Sequence, residues 1–177
     1  MKIMKKYLFV VIAIVALVVA ASGCTSQNGN NTTATKTYSN NNISFSYPSN
    51  WEIISENSSE NGTVVAVGDA DIQKNNTVKG NGATIIKLPN NSNNTADLAT
   101  LKNQFASLNG TNSTTTIAGV TANVTTITTQ INNATAQIQF INFEKNNFIY
   151  LIEYATIASD FQTQSGLFDT ITKSFNV

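Results

Sequence analysis

The chain has no histidine, and all ten of its basic residues are lysine. Histidine is the commonest general base and the side chain that changes charge nearest neutral pH. Without it, Ser-His-Asp and Cys-His triads are excluded, and so are zinc sites built on imidazole. The absence of arginine removes the forked donor that usually clamps phosphate. Cys24 is the single cysteine, so no intrachain disulfide can form, and no imidazole is available to activate its thiol. Charged residues make up only 11% of the chain, where an ordinary domain has about a quarter. Ten acids balance the ten lysines, which leaves no basic footprint for nucleic acid. No glycine-rich phosphate loop is present, and Gly80-Asn81-Gly82 reads as a turn. No cofactor and no catalytic residue are expected.

Polarity comes instead from asparagine, threonine and serine. There are about 12 Asn-x-Ser/Thr acceptor sites, about twice the number composition alone would give. They include Asn31, Asn42, Asn57, Asn61, Asn75, Asn90, Asn93, Asn109, Asn112, Asn123 and Asn133. One reading is a glycosylated surface protein, and the other is compositional drift.

The N-terminus carries an address. Lys2, Lys5 and Lys6 precede an unbroken apolar run from Tyr7 to Ala21, and then Ser22-Gly23-Cys24 follows. That is the order of a signal peptide: charged region, apolar region, small-residue cleavage site. Ala21-Ser22-Gly23-Cys24 resembles a lipobox, in which the cysteine is lipidated and becomes the mature N-terminus. The run is about 15 residues, short of the roughly 20 that span a bilayer. An uncleaved anchor and an ordinary signal peptide are the alternatives. Residues 1–23 are thus read as a lipoprotein signal. The product is a domain on the extracytoplasmic face of a cell membrane, tethered by a lipid on Cys24. Seven lysines then face ten acids, a net charge of about −3.

Residues 24–37 hold no large apolar side chain and read as a flexible tether. The folded domain is placed at 38–177. Ile43 to Tyr47 alternates as a half-buried strand and stops at Pro48. Trp51 to Ile54, Thr63 to Val67 and Ala83 to Leu88 read as three more strands. Thr95 is a plausible N-cap for a helix whose stripe is Leu98, Leu101, Phe105 and Leu108. Asn109-Gly110 stops it. Ile117 to Ile127 and Ala134 to Phe143 read as strands, and Asn146-Asn147 as a turn. Phe148 to Tyr154 is apolar on both faces, as in a covered central strand. Phe161, Phe168, Ile171 and Phe175 form the stripe of a closing helix. Strands, helix, strands, helix, with short turns, describe an α+β domain with a largely antiparallel sheet.

The segment Tyr38 to Trp51 resembles the opening of PsbP-like domains: an alternating strand, then Tyr47-Pro48, a turn, and a tryptophan that begins the next strand. The closing helix from Phe161 to Val177, with its spaced phenylalanines, is similar too, and the helix Leu98 to Leu108 falls in the expected place. The resemblance implies an α-β-α sandwich, with an antiparallel sheet of about six strands and helices on both faces. Family members in photosynthetic organisms are extrinsic, non-enzymatic proteins that dock on membrane complexes, some as assembly factors. The resemblance implies a protein partner in a membrane complex.

Four residues are candidates for a ligand or an interface. Asp69 and Asp71, spaced i, i+2, could turn oxygens toward a hard cation, although such a site wants 6–8 oxygens. Solvated turn aspartates are the simpler reading. Trp51 is a core anchor in the simpler reading and an exposed binding platform in the other. Glu153 sits among apolar neighbours, and a buried carboxylate needs a partner. An edge or rim position accounts for it simply, and lining a ligand site is the alternative. The expected function is a non-enzymatic, membrane-tethered docking or assembly domain. A solute-binding lipoprotein and a structural or adhesive envelope component are the alternatives.

Overall fold

The computed structural model describes residues 34–59, 62–69, 81–131 and 134–177. Cys24, Asp71, Gly80, the 1–23 segment and the acceptor asparagines Asn31, Asn61, Asn75 and Asn133 lie outside the described residues. The described residues form nine strands and two helices. The strands are β1 (Thr35–Asn40), β2 (Ile43–Pro48), β3 (Trp51–Ser59), β4 (Gly62–Asp69), β5 (Gly82–Pro89), β6 (Thr111–Ile117), β7 (Val120–Ile131), β8 (Ala134–Lys145) and β9 (Phe148–Ile157). The helices are α1 (Ser92–Ala106), between β5 and β6, and α2 (Phe161–Ser174), after β9.

Seven strands make one sheet in the order β3-β4-β5-β9-β8-β7-β6, and every neighbouring pair is antiparallel. β1 and β2 form a separate two-stranded ribbon. The main sheet thus has seven strands, one more than the expected six, with the ribbon in addition. The last strand in sequence lies at its centre. This explains why β9 is apolar almost throughout, with every residue from Ile149 to Thr156 buried. β4 and β5 share the pattern, with only their last residues partly exposed.

Three hairpins turn on two residues with positive φ: Asn41-Asn42, Ala118-Gly119 and Asn146-Asn147. Positive φ at both central positions is the twist that suits a tight hairpin, and asparagine and glycine adopt it most readily. The Ala118-Gly119 turn divides the stretch from Ile117 to Ile127, expected as one strand, into β6 and β7. Alternation continued across the turn and hid it. β1 begins at Thr35, so Thr35 to Thr37 belong to a strand and not to the expected tether. α1 starts four residues before expected, because the Asn91 side chain caps it by accepting from the Asn94 backbone N–H at 3.0 Å. Thr95 lies inside the helix, where its hydroxyl donates to the Asn91 carbonyl at 2.9 Å. The helix ends at Ala106, and Leu108 is exposed rather than part of the stripe.

Two apolar clusters follow from strand alternation. Tyr150, Ile152 and Tyr154 of β9 join Ile85, Val65, Val67 and Trp51 in one, with Phe168 and Ile171 of α2 and Phe45 of β2. Ile149 and Leu151 join Val64, Ile86, Leu88 and Phe140 in the other, with Leu98 and Leu101 of α1. Successive side chains of a strand point to opposite faces, so the clusters lie on opposite faces of the sheet. Tyr154 stacks on Phe168 with ring centroids 4.8 Å apart, and Phe45 stacks on Phe175 at 6.1 Å. The chain end is sewn to the ribbon: Ser44 and Asn176 exchange backbone hydrogen bonds of 2.9 and 2.8 Å.

Candidate functional site

Of the four candidate residues, Trp51 and Asp69 are paired across β3 and β4, Glu153 lies apart on β9, and Asp71 lies outside the described residues. Trp51 is fully buried in the α2-side cluster, so it anchors the core and is not an exposed platform. Its carbonyl accepts from Lys36 Nζ at 3.1 Å, and its indole N–H has no partner. Asp69 is half-buried at the end of β4, opposite Trp51 in the register, and its backbone N–H donates to the Asn81 carbonyl at 3.2 Å. Its expected companion Asp71 lies outside the described residues. Among the described residues, no group of three potential metal-ligating side chains is assembled.

Glu153 departs most from expectation. It lies on the central strand β9, not at an edge or rim, and only 4% of it is accessible. Neither carboxylate oxygen has a hydrogen-bond partner. The charged form loses its hydration and gains nothing in return, so burial pushes the carboxyl up from 4.5 to about 8. The protein therefore holds this group mainly as the neutral acid at pH 7.

The cross-strand register gives the surroundings. Ala66, Thr84, Glu153 and Phe140 are paired in line across β4, β5, β9 and β8. The row on the α1 side reads Val64, Ile86, Leu151 and Asn142, and the row on the other side reads Gly68, Gly82, Ala155 and Ile138. All twelve residues share one face. Over β4, β5 and β9 the side chains shrink from Val64, Ile86 and Leu151 to Gly68, Gly82 and Ala155. Side-chain bulk steps down there, with Glu153 in the step. Phe140 stands on the β8 side, held by Phe105 of α1 at a centroid distance of 4.9 Å.

None of the described lysines bonds the Glu153 carboxylate. Lys87 is buried on the opposite face, where its ammonium donates to the Asn41 carbonyl at 2.7 Å and lies 4.3 Å from the Phe148 ring centre. Loss of hydration lowers its pKa. Lys145 donates to the Ala118 carbonyl at 2.6 Å. Each of these two lysines thus fastens a hairpin turn. Lys173 pairs with Asp169 on the surface of α2 at 2.8 Å.

Sequence reasoning found Glu153 by its chemistry, as an acid inside an apolar run. It missed the row of small residues, which only the pairing of three separate strands brings together. The hydroxyl of core residue Tyr154 donates to Asn81 Oδ1 at 3.4 Å, and Thr156 donates to the same oxygen at 2.6 Å. Asn42, Asn57, Asn93, Asn109, Asn112 and Asn123 are exposed, and Asn90 is half-buried. No described helix is long and apolar enough to cross a membrane.

The fold has known likenesses. The cyanobacterial PsbP of Synechocystis sp. PCC 6803 superposes with a TM-score of 0.52 at 15% identity, over 86% of this chain and 98% of that one. A protein of Bacteroides thetaiotaomicron gives 0.51 at 12% identity, over 76% of this chain and 44% of its own. LpqN of Mycobacterium tuberculosis, described as involved in cell envelope biogenesis, gives 0.48 at 13% identity, over 83% and 92%. At such identities the likeness concerns the fold alone. No curated protein matches the sequence. The profile of PsbP-like proteins matches residues 8–177, including both segments that carry the resemblance. The chain belongs to the PsbP-like protein family.

Proposed function

We propose that this chain is a non-enzymatic accessory domain on the extracytoplasmic face of a membrane. A lipid on Cys24 holds it there, and it docks on or helps assemble a membrane complex. The observation that carries this reading is family membership over residues 8–177. PsbP-like proteins work as extrinsic accessory subunits rather than as catalysts. Two further features support it: the Ala21-Ser22-Gly23-Cys24 pattern, and a chain without histidine. The layered fold, an antiparallel sheet with a helix packed into the apolar cluster on each face, gives a stiff body suited to docking.

Affinity purification from gently solubilised native membranes, read by mass spectrometry, tests the docking claim. A single complex co-purifying at near-equal stoichiometry is the expected result, and a bait recovered alone refutes it. The tether is tested separately. Cys24→Ser moves the protein from the membrane to the soluble fraction if the cysteine carries the lipid, and unchanged membrane retention refutes that part.

A further inference from the structure

We propose that the step in the sheet around Glu153 is a binding site for an organic amine: a small ammonium group on an apolar body. Three observations meet there. A carboxylate 4% accessible has no partner on either oxygen. On its own face, Ala66, Gly68, Gly82, Thr84 and Ala155 form a floor of small residues over three paired strands. Leu151, Ile138 and Phe140 bound that floor with hydrocarbon. A core position under no other demand would carry an aliphatic side chain in place of the Glu153 carboxyl, as Leu151 and Ile86 do one row away.

The donor set decides the class of ligand. A carboxylate in an apolar recess attracts cations and N–H donors and repels anions. A hard metal ion needs more oxygens than one carboxylate supplies, and no metal-ligating cluster accompanies Glu153 among the described residues. An ammonium needs few: one carboxylate gives it a charge-assisted hydrogen bond, and the apolar walls take its hydrocarbon. Among the described lysines, Lys36, Lys87 and Lys145 are bonded to backbone carbonyls and Lys173 to Asp169, and none reaches the Glu153 carboxylate. In the free protein the site is held by a proton, which the ammonium displaces on binding. This reading stands apart from the tether and the docking partner and survives their failure.

The test uses the full chain and three probes of equal bulk: phenethylamine, phenethyl alcohol and phenylpropionate. Thermal shift and calorimetric titration are the readouts. The amine is expected to bind and raise the melting temperature, and the alcohol and the acid are not. Near pH 7 about one proton is released per amine bound, seen as a binding heat that depends on the buffer. Glu153→Gln is expected to weaken the amine by about tenfold or more and to abolish the proton release. Ala155→Leu, which fills the floor and keeps the carboxyl, is expected to block the amine as well. The proposal is overturned if the amine does not bind, if the three probes bind alike, or if both variants keep wild-type amine affinity.

Discussion

Replacing Glu153 with glutamine should change how stability depends on pH, and the magnitude follows from the burial. In the unfolded chain the carboxyl titrates near 4.5, and in the fold burial holds it at about 8. Below the lower value both states carry the proton, and the group costs nothing. Between the two, the unfolded chain releases a proton that the folded chain keeps, so stability falls as pH rises. Each pH unit in that window is worth about 1.4 kcal/mol, so by pH 7 the loss is about 3 kcal/mol. Glutamine does not titrate. Its buried amide adds a fixed cost of about 1–3 kcal/mol at every pH. The side chains paired with and flanking Glu153 on its face, Thr84, Phe140, Leu151 and Ala155, do not titrate in this range either. The other acids are common to both proteins and cancel in the difference. Urea unfolding of wild type and Glu153→Gln, from about pH 5 to about pH 8, measures that difference. It should move in favour of the variant by about 3 kcal/mol between pH 5 and pH 7. Parallel curves would refute the reasoning, because they would mean that the carboxyl is hydrated or paired in the folded protein.

Trp51→Ala should cost about 3–5 kcal/mol in chemical denaturation, since a fully buried indole leaves a cavity that the core cannot close; a loss under about 1 kcal/mol would place the ring outside the core. Gly62→Ala should strongly reduce the melting temperature, because its Cβ would stand 2.7 Å from the Lys87 carbonyl at a φ of 147°; an unchanged melting temperature refutes that contact. Lys173→Ala should alter stability by less than about 0.5 kcal/mol, because the pair with Asp169 is exposed on the surface of α2; a larger loss in the same assay contradicts this.

Periodicity made most of the architecture readable. β9 could be recognised as a covered strand because both of its faces are apolar, and both helices declared themselves by stripes of leucine and phenylalanine. β6 could not. Its first six residues, Thr111 to Thr116, are all exposed, so no burial pattern marks it as a strand. It is held by pairing with β7, and pairing leaves no trace in a threonine-rich sequence. β1 is similar, with Tyr38 its one buried side chain. The start of α1 was obscured because Asn90, Asn91, Asn93, Asn94 and Thr95 crowd one turn, and several of them can cap a helix. Glu153 was found by its chemistry but misplaced as a rim residue. Whether a strand is central depends on sheet order, and sheet order here is set by contacts between residues far apart in the chain.

The position of β9 also has a consequence for how the molecule comes into being. β3, β4 and β5 form one antiparallel meander and β6, β7 and β8 another, each from neighbouring stretches of chain. No hydrogen-bond ladder joins the two meanders except through β9, which pairs with β5 on one side and β8 on the other. Until residues 148–157 arrive, the sheet exists as two halves with four open edges. A chain emerging N-terminus first therefore cannot close its sheet until residues 148–157 have been made. Synthesis or translocation halted before Phe148 would leave two apolar, edge-exposed half-sheets, the form in which strand proteins are most prone to aggregate.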